Sequence, residues 1–169
     1  FSNVLKNKNI LHKSCYIPNK DYTTLPITPL GENIYIYKGL HGNRPDYYRF
    51  KEIVMPLMEV FGKDRIIYTE YKSFEDLVKN YYNDCFVFIK PNEKGGCTTM
   101  YELAYMGRRT LGQGHKNLPF FTEYKDLHHL IDLIMDESKY IGKIRPKIKK
   151  SIESIFVGDE WLNLKFWND

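Results

Sequence analysis

The sequence has 169 residues, of which 43% are hydrophobic and 27% charged, the composition of a single soluble globular domain with a sizeable core. The net charge of +4 suits a phosphate-bearing ligand, but it is too small and too evenly spread to indicate a nucleic-acid-binding protein. No segment approaches the roughly 20 consecutive apolar residues of a membrane span, and no basic stretch followed by an apolar run opens the sequence.

Cysteine and histidine spacings favour neither disulfide bonds nor a metal site. The three cysteines, Cys15, Cys85 and Cys97, are odd in number. Neither they nor the five histidines show the spacing of metal ligands. We therefore expect a reducing, cytoplasmic environment and no bound metal.

The first part of the chain, residues 1–32, is predicted to be an entry segment, because three prolines interrupt it and oppose regular helix. A run of alternating Ile and Tyr then predicts a strand over residues 34–37, which ends at Lys38 and Gly39. A helix is predicted between Pro45 and Gly62, with a kink at Pro56. Its apolar side chains recur at helical spacing: Phe50, Ile53, Val54, Leu57 and Phe61.

The second half continues the alternation. Residues 65–69 and 85–89 predict strands, and a helix between them begins with a capping box at Ser73 and Asp76. A glycine turn, a helix over residues 99–106 that stops at Gly107, and a strand over residues 109–112 follow. Thr122 is predicted to cap a helix over residues 127–135, and a last helix covers residues 148–156.

This order of strands and helices predicts an α/β domain with a parallel sheet and helices on both faces. We assign residues 33–145 to that domain and residues 146–169 to a C-terminal helix with an aromatic tail. In open parallel sheets, ligands bind beyond the carboxyl ends of the strands. That rule selects three loops, over residues 38–46, 69–73 and 90–99.

The residues best suited to binding a ligand lie in one segment, residues 90–112, KPNEKGGCTTMYELAYMGRRTLG. Gly95 and Gly96 follow a buried strand and allow the backbone to approach a ligand closely. The next helix directs its free N–H groups at the same place, where a diphosphate would be stabilised without a metal. Thr98 and Thr99 add hydroxyl donors, and Glu102, placed in the first turn, offers acceptors for a ribose diol.

Simpler interpretations of these residues stay open. Thr99 and Glu102 have capping-box spacing, so Glu102 would then only secure the start of its own helix. The two glycines would form an ordinary tight turn, and Cys97 would be a small buried side chain.

Residues 94–107 resemble the donor-site signature of GT-B glycosyltransferases. In that family a polar residue precedes a glycine turn and a Ser or Thr, and a Glu follows eight residues after the start, as Lys94 and Glu102 do here. Ala104 and Gly107 match the continuation of the helix. The resemblance implies the Rossmann-like, three-layer C-terminal half of a GT-B fold, with residues 1–32 as the interdomain linker that precedes it.

The resemblance also implies roles for individual residues. Glu102 would bind the ribose of the nucleotide, and the diphosphate would lie against Gly95, Gly96, Thr98 and Thr99. Basic residues after the first strand, Lys38 and Arg44, would contact phosphate. Two departures stand out: Lys94 replaces the His or Glu of many relatives, and Arg108 replaces the proline that usually follows the glycine.

The function implied is a glycosyltransferase of the hexosyltransferase type. It would take the sugar of a nucleoside diphosphate donor, UDP- or GDP-linked, and pass it to an unknown glycan, lipid or protein acceptor. An N-terminal GT-B domain, in cis or in a partner chain, would complete the enzyme, so this half alone would be inactive or weakly active. The alternatives are half of a sugar-nucleotide epimerase and a non-catalytic nucleotide-binding module.

A basic cluster over residues 143–150 lies outside the segment that resembles the donor-site signature. Such a cluster is usually a solvated helix face, although it also suits contact with an anionic membrane surface.

Overall fold

The structure is a computed structural model that describes residues 22–39, 49–70, 72–91, 98–114 and 118–153. Its five strands are all parallel and pair in the order β2-β1-β3-β4-β5. They are β1 (Asn33–Gly39), β2 (Ile66–Glu70), β3 (Cys85–Lys90), β4 (Arg109–Gly112) and β5 (Phe121–Glu123). The predicted α/β domain with a parallel sheet is therefore confirmed.

Helices cover both faces of this sheet. They are α1 (Met55–Phe61), α2 (Phe74–Leu77), α3 (Thr98–Tyr105), α4 (Leu127–Ser138) and α5 (Pro146–Glu153). A π-helical turn, Phe50–Val54, precedes α1, and another, Val78–Tyr82, extends α2. Pro56 lies in the first turn of α1, directly after the π-helical turn. Gly62 ends α1 at a φ of 90°, and Ser73 caps α2 by accepting from the Asp76 amide.

Two apolar cores lie on opposite faces of the sheet. Because side chains alternate along a strand, Tyr35 of β1 joins the core under α2, α3 and α5, whereas Ile34 and Ile36 join the core under α1 and α4. The step from β1 to β2 crosses one face, and the later steps to β3 and β4 run the opposite way across the other face. All three crossovers therefore have the same hand.

Three expectations need correction or addition. Thr122 does not cap the fourth helix, because it lies within β5. Asp126 is the cap, and its carboxylate accepts from the His129 amide at 2.8 Å. The strand β5 itself was not predicted, since three residues are too few to show a period. The predicted last helix, α5, is described as far as Glu153.

The described part of the predicted linker, residues 22–32, packs onto the domain. Tyr22, Leu25 and Leu30 are buried in the two cores. Leu30 exchanges backbone hydrogen bonds with the chain between α4 and α5, accepting from Gly142 at 2.8 Å and donating to Lys143 at 3.0 Å. The segment that leads into β1 is thus tied to the connection between α4 and α5.

Arg108, which departs from the glycosyltransferase pattern, holds this segment in place. Its side chain is fully buried and donates to five backbone carbonyl oxygens, those of Thr28, Pro29, Asn83, Cys85 and Met106. Burial lowers the pKa of the guanidinium. Arg108 therefore joins the linker, the turn before β3 and the start of β4 from inside the protein.

Candidate functional site

The strand order creates one crevice at the carboxyl edge of the sheet. β1 and β3 are neighbours, but the chain leaves β1 towards β2 and leaves β3 towards β4, so the loops after these two strands part in opposite directions. Such a switch point is where doubly wound sheets bind ligands. The order 2-1-3-4-5 is one of the two common orders of doubly wound sheets, and its switch point lies between β1 and β3.

Two of the three loops selected from sequence begin at this crevice. They follow Gly39 of β1 and Lys90 of β3, and the strands run in register through Tyr35 with Phe88 and Ile36 with Ile89. The third loop follows β2, on the outer side of β1. The candidate site is therefore the crevice between the carboxyl ends of β1 and β3.

Lys38 lies at a β-bulge beside this crevice. The pairing of β1 with β2 shifts register between Tyr37 and Gly39, which leaves Lys38 as the extra residue. Bulges re-aim a side chain and often occur next to functional sites. Lys38 is half-buried there. Arg44, the second basic residue predicted to contact phosphate, lies outside the described residues.

A second lysine at the crevice was not selected from sequence. Lys90 is the last residue of β3, next to Gly112 of β4, and only 4% of it is exposed. It belongs to a class of residue that is rarely buried unless paired. The sequence did contain a sign of this buried lysine, because Lys90 is the charged residue that directly follows the apolar run of residues 85–89.

Helix α3 begins just after the segment that follows β3, and its first residue, Thr98, is exposed. Thr99 is the second residue of the helix and is buried. The predicted donor residues Lys94, Gly95 and Gly96 lie outside the described residues. The structure thus describes the threonines and Glu102, but not the turn predicted to hold the diphosphate.

Glu102 is buried, 6% exposed, in the second turn of α3 and not in the first turn as predicted. Its Oε2 accepts a 2.6 Å hydrogen bond from the hydroxyl of Tyr82. The side chain of Thr99 also acts on that hydroxyl and lowers the pKa of Tyr82. Two residues selected from sequence therefore converge on a third, Tyr82, which sequence reasoning did not select.

This arrangement bears on the capping-box interpretation of Thr99 and Glu102. A capping box requires Thr99 to precede the helix as its N-cap. The helix begins at Thr98, so Thr99 already lies inside it. Glu102 accepts from Tyr82, a residue of another element, so this contact is tertiary.

Tyr82 is the centre of a buried polar and aromatic group. Its ring meets that of Tyr35 edge-on at 5.4 Å, and the Tyr35 hydroxyl lies 3.1 Å from Oγ1 of Thr69 near the end of β2. Burial first, and then the negative charge of Glu102, raise the pKa of Tyr82. The phenol therefore stays protonated and acts as the donor to Glu102.

Fold and site together define a doubly wound α/β domain with a crevice at the switch point of its sheet. No group of three or more His, Cys, Asp or Glu residues within the described ranges is arranged to hold a metal ion. Among those same residues, no helix has both the length and the apolar content to cross a lipid bilayer. The chain matches no family model and no curated protein.

Proposed function

We propose that this chain is the donor-binding domain of a GT-B type glycosyltransferase. It binds a nucleoside diphosphate sugar, UDP- or GDP-linked, for transfer of the sugar to a glycan, lipid or protein acceptor. The observation that carries the proposal is the position of the segment resembling the family signature. That segment follows β3 at the switch point and leads into α3, where the family binds its donor.

The chemistry at this crevice suits a departing diphosphate. Glycosyl transfer requires stabilisation of the negative charge that develops on the leaving group. The amide groups at the start of α3 carry partial positive charge, Thr98 offers an exposed hydroxyl, and Lys38 and Lys90 lie near the carboxyl ends of the two strands that border the crevice. These groups serve in place of a metal ion.

Glu102 is the proposed ribose ligand, held in position by Tyr82. An ionised carboxylate has about four acceptor positions, so the bond from Tyr82 uses only part of its capacity. Fixing the carboxylate beforehand lowers the entropy lost when the ribose hydroxyls bind. In this proposal Tyr82 positions Glu102 and does not touch the donor.

The test is calorimetric titration of the chain with UDP, GDP and their sugar conjugates. Glu102→Gln and Lys94→Ala should each weaken the preferred nucleotide roughly tenfold, the value of a hydrogen bond to a charged group. Lys38→Ala should weaken it as well, whereas Lys51→Ala, on the exposed side of the turn before α1, is the matched control and should not.

Each outcome distinguishes a named alternative. If Glu102→Gln lowers only the melting temperature and leaves nucleotide affinity intact, Glu102 is structural and the donor site is wrong. Binding without sugar transfer, even after an N-terminal GT-B domain is supplied, would identify a non-catalytic nucleotide-binding module. Epimerised free sugar nucleotide in the same reaction would identify half of an epimerase.

A further inference from the structure

A cleft of about 510 Å³ lies at the opposite edge of the sheet from the candidate donor site. Arg109 is the first residue of β4 and Pro119 precedes β5, so both lie at the amino ends of their strands. The connection between α4 and α5 and the first turns of α5 form the rest of the wall. A volume of this size is within the range of roughly 300 to 1,000 Å³ typical of small-molecule sites.

Within the part of the chain that the structure describes, the charged lining of the cleft is entirely positive. Arg109, Lys143, Arg145 and Lys147 line it, and none of the described Asp or Glu residues does. Lys143 and Lys147 are exposed. A concave surface lined by one sign of charge concentrates ligands of the opposite charge.

The two arginines are held in place by one carboxylate behind them. Glu137, which is 8% exposed, forms an ion pair with Nε of Arg109 at 3.1 Å through Oε1 and accepts a hydrogen bond from Nη1 of Arg145 through Oε2. Each guanidinium carries five N–H donors, so these bonds leave donor capacity on both. One carboxylate offsets only part of the charge of four cations.

The wall that carries these charges is rigidly placed. The carbonyl of Lys143 and the amide of Gly142 both bond to Leu30, and the Arg145 guanidinium stacks 4.2 Å from the centre of the Tyr140 ring. Preorganised cations bind an anion with less loss of side-chain entropy than free ones.

The rim of the cleft adds apolar surface. Ile144 is 56% exposed and Tyr140 is 41% exposed, two of the most exposed large apolar side chains among the described residues. They alternate with Lys143 and Arg145 along the chain. This mixture matches an amphipathic ligand, which has a charged end and an apolar body.

We infer that this cleft binds a phosphate monoester attached to an apolar group, through Lys143 and Lys147 beside the arginine pair. A phosphate carries nearly two negative charges at neutral pH, which suits the uncompensated cations better than a single carboxylate would. The inference does not depend on the proposed donor site, which is at the other edge of the sheet. The same chemistry is presented by a soluble organic phosphate and by a phosphatidate headgroup, and lysines beside exposed apolar side chains are also typical of membrane-surface contacts.

Two titrations of the full 169-residue chain separate these sources. The first uses phenyl phosphate, with inorganic phosphate for comparison. The second uses phosphatidylcholine vesicles with and without phosphatidic acid, measured by co-sedimentation. Two double variants each remove two charges from the same region. Lys143→Ala with Lys147→Ala alters the cleft, and Lys139→Ala with Lys150→Ala alters exposed residues that do not line it.

The cleft double variant should weaken binding roughly tenfold and the control double less than about twofold, because exposed charge pairs outside a defined site contribute little. Ile144→Ser should remove the preference for phenyl phosphate over inorganic phosphate. Binding of phenyl phosphate supports a soluble ligand, and binding only to phosphatidate vesicles supports a lipid headgroup. Equal weakening by both double variants, or no binding in either titration, would overturn the inference.

Discussion

The hydroxyl of Tyr82 donates a 2.6 Å hydrogen bond to Oε2 of Glu102, so that a buried carboxylate in α3 is fixed by a residue from the turn after α2. An ionised group loses hydration when it is buried, and it stays charged only where hydrogen bonds replace the lost water. Tyr82 supplies such a bond from the element that leads into β3. The position of the candidate ribose ligand therefore depends on the contact between the π-helical turn after α2 and α3.

Loss of this hydrogen bond should lower the free energy of unfolding by a measurable amount. Tyr82→Phe removes the donor and leaves a buried acceptor with one partner fewer, so the free energy of unfolding should fall by about 1 to 3 kcal/mol. Tyr81→Phe, at the half-buried neighbouring position, should change it by less than about 0.5 kcal/mol. Urea denaturation measures both, and equal losses in the two variants would show that the Tyr82 bond contributes nothing specific.

Cys85 predicts a loss of stability at alkaline pH. The thiol is fully buried and donates to the Tyr82 carbonyl, and burial raises its pKa from 9.0 to about 12. Between those values the unfolded chain loses the thiol proton and the folded protein keeps it. The free energy of unfolding should therefore fall as pH rises from 9.0 towards 12, by up to about 4 kcal/mol from this group.

The variant Cys85→Ala isolates that contribution. Tyrosines and lysines titrate in the same range in both proteins, so the difference between the two pH profiles reports the thiol alone. The variant should show a shallower decline above pH 9, whatever its stability at neutral pH. Parallel profiles would contradict the assignment.

Arg108 should be among the most sensitive positions in the domain. Arg108→Met leaves five backbone carbonyls without their common donor, and the expected loss is about 3 to 5 kcal/mol. Arg108→Lys keeps the charge but has fewer donors, so its stability should lie between that of Arg108→Met and that of the natural protein. Arg65→Met is the control, because Arg65 is exposed and makes a single bond to the Glu32 carbonyl. A similar loss at both positions would argue against the role given to Arg108.

Gly31 should tolerate no side chain. A Cβ added there would lie 2.1 Å from the carbonyl carbon of Asp84, a backbone atom that cannot move aside without disturbing the start of β3. Gly31→Ala should therefore lower stability by at least about 3 kcal/mol. Gly62→Ala is the comparison: Gly62 has a φ of +90° but open space around it, so only backbone strain of about 1 to 2 kcal/mol is expected. Thermal unfolding of the two variants should rank them in that order.

A substitution at Thr110 should raise the stability of the domain instead of lowering it. Its hydroxyl is fully buried in β4 and has no hydrogen-bond partner among the described residues. Thr110→Val keeps the shape and removes the unsatisfied group, which should stabilise the domain by about 1 kcal/mol. Thr122→Val should instead destabilise it, because Oγ1 of Thr122 accepts from Arg109 at 3.1 Å. A destabilised Thr110→Val would mean that the hydroxyl is satisfied after all.

Most of the secondary structure could be predicted because its signals are local. The Ser73 cap, the stop at Gly62 and the apolar run of β3 each depend on residues within a few positions of one another. The same locality explains the errors. Thr122 and Asp126 are both good capping residues, and only the formation of β5 by pairing with β4 removes Thr122 from consideration.

The candidate site divides in the same way. Its place at the carboxyl edge could be predicted from the alternation of strands and helices, because parallel strands share that edge. The partner of Glu102 could not, since Tyr82 is separated from it by 20 residues and nothing in its own neighbourhood marks it. In the sequence, Arg108 stood out only as a departure from a family pattern, and its bonds to five backbone carbonyls could not be predicted.

By itself the sequence determined the class of the domain and the order of most of its elements, because periodicity, caps and glycines act over short distances, and it predicted which loops lie at the carboxyl edge of the sheet. Only the tertiary structure decided that the switch point lies between β1 and β3, that Tyr82 holds Glu102, and that cations from β4 and from the chain around α5 line one cleft. These features arise when residues distant along the chain are brought together by burial, and no local pattern encodes which of them will meet.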